Sequence, residues 1–119
     1  MDDAFAILNV WKRSRRLAIT ICEIFSNCKE YGIKNRIIHA AASIPANLAE
    51  GYERNLGIDF INLLLLARES CLEMQTQLLI CKDIRLIETE TASVLEQEIL
   101  EISGLLQELV HFYQNDTGT

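Results

Sequence analysis

Residues that form turns are scarce in this chain of 119 residues. It contains 5 glycines and 1 proline, whereas 50% of its residues are hydrophobic. A many-stranded sandwich or barrel needs more turn-forming residues, so the composition favours helices joined by few loops. A chain of this length holds one hydrophobic core. We therefore predict a single all-α domain over residues 1–119.

Long apolar runs are missing too. No run approaches the roughly 20 apolar residues that are needed to cross a bilayer. The chain starts with Met1-Asp2-Asp3, which is acidic where a secretory signal is basic. We therefore expect a cytoplasmic protein with no membrane partner.

Motifs for catalysis or metal binding are not apparent. The chain has no phosphate-binding glycine-rich loop, no Gly-x-Ser-x-Gly and no His-Glu-x-x-His. Carboxylate bundles that hold two metal ions need a Glu-x-x-His pair on each of two helices, and the chain does not meet this requirement. We expect no enzyme activity, no cofactor, no metal and no small-molecule substrate.

The chain has four cysteines, Cys22, Cys28, Cys71 and Cys81, and no Cys-x-x-Cys pair. We interpret all four as reduced thiols.

Four stretches of the chain carry apolar residues at alternating steps of three and four, which keeps them on one side of a helix. The third stretch is the most regular and consists of Phe60, Leu64, Ala67, Cys71, Met74, Leu78 and Cys81. The pattern predicts helices over about 5–29, 33–53, 57–83 and 90–114. Four helices of similar length with short loops predict an antiparallel, up-and-down four-helix bundle.

Two residues predict local features of the second helix. Gly32 precedes it and is suited to a left-handed conformation that would end the first helix. Pro45 lies inside it and removes one backbone donor. We expect either a kink over 41–45 or a new helix start capped by Ser43, and the sequence leaves both alternatives open.

The third predicted helix has a second apolar line on another flank. A helix in an isolated bundle needs only one buried stripe, so a second line predicts a contact with another subunit. We predict an oligomer interface formed by Ile58, Ile61, Leu65, Leu72 and Leu79.

A polar line runs along the second helix beside its apolar seam. Ser43, Asn47, Glu50 and Arg54 follow one another at steps of four, three and four. Either they contact a facing helix or subunit, or they form a solvated flank, and spacing alone does not distinguish the two.

Charge is distributed unevenly along the chain. Residues 1–54 contain 8 basic and 6 acidic residues, for a net charge of +2, whereas residues 55–119 contain 3 and 11, for −8. This asymmetry favours pairing between the halves, within one chain or between copies. A basic cluster on the first helix consists of Lys12, Arg13, Arg15 and Arg16. It could contact RNA or an acidic partner, or it could be a solvated helix face.

Three segments resemble a known family. They are residues 8–12 (LNVWK), residues 43–52 (SIPANLAEGY), and Phe60 followed by residues 66–73 (LARESCLE). Together they closely resemble the four-helix-bundle proteins encoded in intervening sequences of bacterial 23S ribosomal RNA genes.

The resemblance implies a non-enzymatic protein that assembles and binds, and a homopentameric ring. The same superfamily includes the accessory variability protein of diversity-generating retroelements, which binds a reverse transcriptase and RNA. An alternative implied function is therefore a retroelement accessory protein whose basic cluster contacts RNA or a reverse transcriptase.

Overall fold

The protein consists of four α-helices. A computed structural model describes residues 3–53 and 58–116, with side chains described from Ala4 to Glu53 and from Asp59 to Asn115. The helices are α1 (Asp3–Ile24), α2 (Tyr31–Glu53), α3 (Ile58–Asp83) and α4 (Thr89–Asp116). These ranges contain no strand, so the predicted all-α fold is confirmed.

The helices form a four-sided bundle in chain order. α1 packs on α2, α2 on α3, α3 on α4, and α4 on α1, while neither diagonal pair is in contact within the described ranges. The molecule is elongated, with extents of 47 × 21 × 21 Å. One side of the bundle is therefore formed by α1 and α2, and the opposite side by α3 and α4.

The core is formed by the apolar seams that the helical spacing predicts. Every member of the α3 seam is at most 1% exposed, from Phe60 through Met74 to Cys81. The α4 seam is buried in the same way from Ala92 to Tyr113. In α1 the side chains of Val10, Leu17, Ile21 and Phe25 are buried, whereas Ile24 is 38% exposed.

The first helix ends about five residues earlier than the sequence predicts. After Ile24 the backbone tightens into a turn, in which the Cys28 amide donates to the Phe25 carbonyl. The Phe25 amide still makes the α-helical bond to the Ile21 carbonyl at 3.0 Å, and the large Phe25 side chain lies in the core one turn after Ile21, where it is 2% exposed. Gly32 does not end α1, because it lies in the first turn of α2.

Pro45 is accommodated inside α2 without ending it. The helix continues from Tyr31 to Glu53, so the alternative of a new start capped by Ser43 is wrong. The Ser43 hydroxyl donates to the Ala40 carbonyl at 2.8 Å instead of capping a helix.

The link between α3 and α4 contains a strained residue. Arg85 has a φ of 60°, which is the left-handed region. The Leu86 amide donates to the Cys81 carbonyl at 2.8 Å, the six-to-one bond of a Schellman helix end. Glycine usually occupies this left-handed position, and the chain uses arginine.

In residues 3–53 and 58–116, each helix is too short or too polar to cross a membrane.

Candidate assembly surface

Helix α3 carries large apolar side chains that its own bundle leaves exposed. Leu65 is 37% exposed, Leu72 64% and Leu79 49%, although the opposite side of the same helix is fully buried. The seven-residue spacing keeps these three leucines on one line. They form the exposed part of the predicted oligomer interface.

Ile61, one of the two isoleucines of that predicted interface, does not lie on this line. Ile61 is only 9% exposed and belongs to the core of its own chain. It sits near the start of α3, where it packs with the core and not on the outer flank, so it offers little area to another subunit. The side chain of Ile58 lies outside the described residues.

The three exposed leucines point out of the side that α3 shares with α4. Lys82 marks that side, because its Nζ lies 3.8 Å from Oε1 of Glu96 on α4. With 3.6 residues per turn, Leu72 and Leu79 lie on the same side of α3 as Lys82. On α4, Leu100 follows Glu96 by one turn and is 55% exposed. We call this surface, comprising Leu65, Leu72, Leu79 and Leu100, the α3/α4 face.

Three buried side-chain atoms of α3 and α4 make no hydrogen bond in the described part of the chain, and one of them, Glu96 Oε1, lies 3.8 Å from Lys82 Nζ. Arg68 precedes Leu72 by one turn, and Gln107 follows Leu100 by two turns. Arg68 Nε and Gln107 Oε1 are buried and have no hydrogen-bond partner in the described part of the chain. Buried polar atoms are nearly always paired in native proteins, since leaving one unpaired costs about 1 to 3 kcal/mol.

The opposite side of the bundle has an apolar cleft that the sequence does not predict. It lies between the start of α1 and the end of α2, has a volume of about 540 Å³, and is lined by residues that include Phe5, Leu8, Trp11, Ala49, Tyr52 and Glu53. Phe5 is 71% exposed, Leu8 45% and Tyr52 49%. Ile19, two to three turns along α1 from the cleft, is also exposed. We call Phe5, Leu8, Ile19 and Tyr52 the α1/α2 face.

The polar line of α2 contacts α3 through Ser43. The hydroxyl oxygens of Ser43 and Ser70 lie 2.6 Å apart. Asn47 is half-buried and Glu50 is exposed, while Arg54 lies outside the described residues. Ser43 thus contacts the facing helix α3, while the role of the whole line stays a prediction.

A glycine at the end of α2 accommodates an aromatic ring from α3. A Cβ added to Gly51 would lie 2.1 Å from Cδ1 of Phe60, much closer than atoms can approach. The Phe60 ring in turn meets Tyr113 of α4 edge to face, with 5.0 Å between centroids. Gly51, in the segment that carries the family resemblance, thus allows α2, α3 and α4 to converge.

The basic cluster of α1 does not form one free surface. The Arg13 guanidinium donates to Glu98 at 2.6 Å and to Glu101 at 2.8 Å, both on α4. These two bonds raise the pKa of Arg13, and the bond from Arg13 lowers the pKa of Glu101. The predicted pairing between a basic first half and an acidic second half therefore occurs within one chain at this point.

The other three cations of the cluster remain at the surface. Lys12, Arg15 and Arg16 are exposed. The Arg15 guanidinium carbon lies 5.5 Å from the centroid of the Trp11 ring, which is a cation–π contact. With Arg13 directed to α4, the cluster offers three positive charges to a partner instead of four.

Candidate metal ligands do not converge. The chain contains one Glu-x-x-His pair, Glu108 and His111, and both side chains are exposed on α4. Across the described ranges, no group of three or more His, Cys, Asp or Glu side chains is arranged to hold a metal ion. Cys71 is buried, and burial raises the pKa of its thiol to about 12.

Comparisons with known proteins give the family and the fold. A crystal structure of a protein of unknown function from the S23 ribosomal protein family of Bacteroides thetaiotaomicron is similar to this chain, with a TM-score of 0.82 and 22% identity. The similarity covers 89% of this chain and 98% of that one. No curated protein matches. The family model for 23S rRNA-intervening sequence protein matches residues 7–108, and the chain therefore belongs to the family of 23S rRNA-intervening sequence proteins.

Proposed function

We propose that this chain is a non-enzymatic assembly and binding protein that self-associates through the α3/α4 face, forming a homopentameric ring as the family resemblance implies. The observation that carries the proposal is the exposure of Leu65, Leu72 and Leu79 on a helix whose other side is fully buried.

Burial of these leucines supplies the driving force. A fully buried leucine side chain stabilises by about 1.5 to 3 kcal/mol relative to an exposed one. Contiguous apolar patches are uncommon on monomeric proteins, and larger ones mark interaction sites.

The binding role follows from assembly. A ring repeats the exposed cations Lys12, Arg15 and Arg16 once per subunit, so that several weak contacts to one acidic partner would add. The proposal does not require a nucleic-acid partner, because the net charge of −6 opposes non-specific binding to phosphates.

The proposal is tested by placing a charge in the apolar patch. We expect Leu72→Glu to sediment as a monomer in analytical ultracentrifugation at micromolar concentration, because burying the carboxylate at the interface is costly. Circular dichroism should show the same helix content as the unmodified chain, since Leu72 is 64% exposed and takes no part in the core.

Val94→Glu is the matched control. Val94 is 71% exposed and lines the groove between α1 and α4, away from the α3/α4 face. This variant should sediment as the unmodified chain does. If Leu72→Glu keeps the mass of the unmodified oligomer, the α3/α4 face is not the interface and the proposal is wrong.

A further inference from the structure

We infer that the apolar cleft between α1 and α2 binds a small organic cation, an alkylated ammonium group that carries a short apolar chain. The cleft lies between the start of α1 and the end of α2 and has a volume of about 540 Å³. Small-molecule sites commonly enclose about 300 to 1,000 Å³, so the cleft has room for such a ligand. The inference concerns binding without a reaction, and it does not depend on the proposed self-association.

The floor of the cleft is built from core residues. Ile7 of α1 and Leu48 of α2 line the cleft and are only 4% and 1% exposed. Because the packing of the bundle core fixes these side chains, the floor is in place before a ligand binds. An apolar chain that lies on this floor leaves water, and its burial favours binding.

Aromatic side chains form the walls of the cleft. Phe5 and Trp11 line it from α1, and Tyr52 lines it from α2. The Trp11 ring already contacts a cation, since the guanidinium carbon of Arg15 lies 5.5 Å from its centroid. Phe5 and Tyr52 remain 71% and 49% exposed. The face of an aromatic ring attracts a cation, and these two rings present such faces to solvent.

The charge at the cleft is negative. Glu53 is the charged residue among the described residues that line it. Helix α2 ends at Glu53, where the last carbonyls of the helix carry a partial negative charge. The last turn of α2 contains no basic residue. The carboxylate and the helix end both attract a positive ligand, and the net charge of −6 acts in the same direction.

The small number of hydrogen-bond acceptors indicates the kind of cation. Among the side chains of the described lining residues, the acceptors are the Glu53 carboxylate and the Tyr52 hydroxyl. A primary ammonium has three N–H donors, and a donor that leaves water without finding an acceptor is costly. An alkylated ammonium replaces N–H groups with methyl groups. It therefore suits an aromatic cleft that offers one carboxylate.

Trp11 provides a direct test, because it is the single tryptophan of the chain and lines the cleft. Its fluorescence is titrated with three probes that share a six-carbon chain, which are hexyltrimethylammonium, hexan-1-ol and hexanoate. We expect the Kd of the cation to be about tenfold lower than that of the alcohol, because the aromatic faces and the carboxylate attract only the cation. Hexanoate should bind more weakly than the alcohol. Calorimetric titration detects binding that leaves the fluorescence unchanged.

Two carboxylate variants locate the site. Glu53→Gln should raise the Kd of hexyltrimethylammonium toward that of hexan-1-ol. Glu90→Gln is the matched control, since it removes the same charge from an exposed position in the first turn of α4. The start of α4 is at the other end of the bundle, because Phe60 at the start of α3 contacts both Gly51 and Tyr113. This variant should bind the cation as the unmodified chain does.

Several outcomes would overturn the inference. If hexan-1-ol binds as tightly as the cation, the cleft is a general apolar surface. If hexanoate binds most tightly, Arg15 and not Glu53 selects the ligand. An equal loss of affinity in Glu53→Gln and Glu90→Gln would assign the attraction to net charge. If fluorescence and calorimetry detect no cation binding at millimolar concentration, the cleft is not a site for it. The oligomeric mass tests the proposed self-association separately.

Discussion

Among the glycines of the described ranges, Gly51 leaves the least room for a side chain. Its missing side chain leaves room for the Phe60 ring, which would otherwise overlap an added Cβ. We expect Gly51→Ala to lower the free energy of unfolding by about 1 to 3 kcal/mol, the usual cost of overpacking a core. Equilibrium unfolding in urea at one fixed protein concentration measures it.

Gly32→Ala is the control in the same helix. A Cβ at Gly32 meets nothing within 4 Å, and alanine favours a helix more than glycine does. This variant should be as stable as the unmodified chain or slightly more stable. Equal stability of Gly51→Ala and Gly32→Ala would contradict the proposed role of Gly51.

Arg13 makes stability depend on pH. Its hydrogen bond holds the pKa of Glu101 below the ordinary value of 4.5. A carboxylate with a lowered folded-state pKa stabilises the fold above its unfolded pKa, and this contribution is lost as the pH falls through the folded pKa. We expect Arg13→Gln to be less stable than the unmodified chain at pH 7, with the difference shrinking as the pH falls below 4.5.

The measurement is the midpoint of urea unfolding from pH 7 down to pH 3. Lys12→Gln is the control, because it removes a charge from the adjacent position, which is exposed. The difference in unfolding midpoint between this variant and the unmodified chain should change less with pH. If the difference in unfolding midpoint between Arg13→Gln and the unmodified chain stays constant across this pH range, the ion pair is not the source of that difference.

At the scale of single elements, the strained end of α3 offers a stabilising change. Arg85 holds a φ of 60°, which is unfavourable for any residue with a side chain and acceptable for glycine. We expect Arg85→Gly to raise the free energy of unfolding by about 0.5 to 1 kcal/mol. Thermal and urea unfolding should both report it.

Arg85→Ala separates the backbone effect from loss of the charge. Alanine has the same conformational restriction as arginine at this φ, so its stability should stay close to that of the unmodified chain. A gain with alanine equal to the gain with glycine would attribute the effect to the charge and not to the backbone.

The sequence predicts a helix well where the residues that pack in the core also follow the three- and four-residue spacing of a helix. In α3 and α4 each core residue recurs at a step of three or four, and the predicted bounds 57–83 and 90–114 lie within two residues of the structure. The end of α1 was not predictable in this way. The apolar spacing runs on through Phe25, but the α-helix ends at Ile24 and the Cys28 amide then donates to the Phe25 carbonyl.

The candidate surface was predictable in part. The leucines of α3 could be found because their seven-residue spacing differs from that of the buried seam. Leu100 and the cleft at Phe5 and Tyr52 were not found, since they depend on which helices become neighbours. Arg13 was placed in a free basic cluster, because only the packing of α1 against α4 brings it to Glu98.

At the scale of the whole molecule, large apolar side chains are exposed on more than one side of the elongated bundle, and Leu65, Leu72, Leu79 and Leu100 share the α3/α4 face. Burial of that shared face is what the proposed self-association would gain. The salt-dependent part of the association should be modest, because the proposed interface is mainly apolar and salt screens only interactions between charged groups.

The most direct measurement is the molar mass of the unmodified protein in solution. Multi-angle light scattering at micromolar concentration should give about five times the 13.5 kDa of one chain. A mass of one chain at every concentration up to about 100 μM would mean that Leu65, Leu72 and Leu79 stay in water. That result would contradict self-association and with it the proposed function.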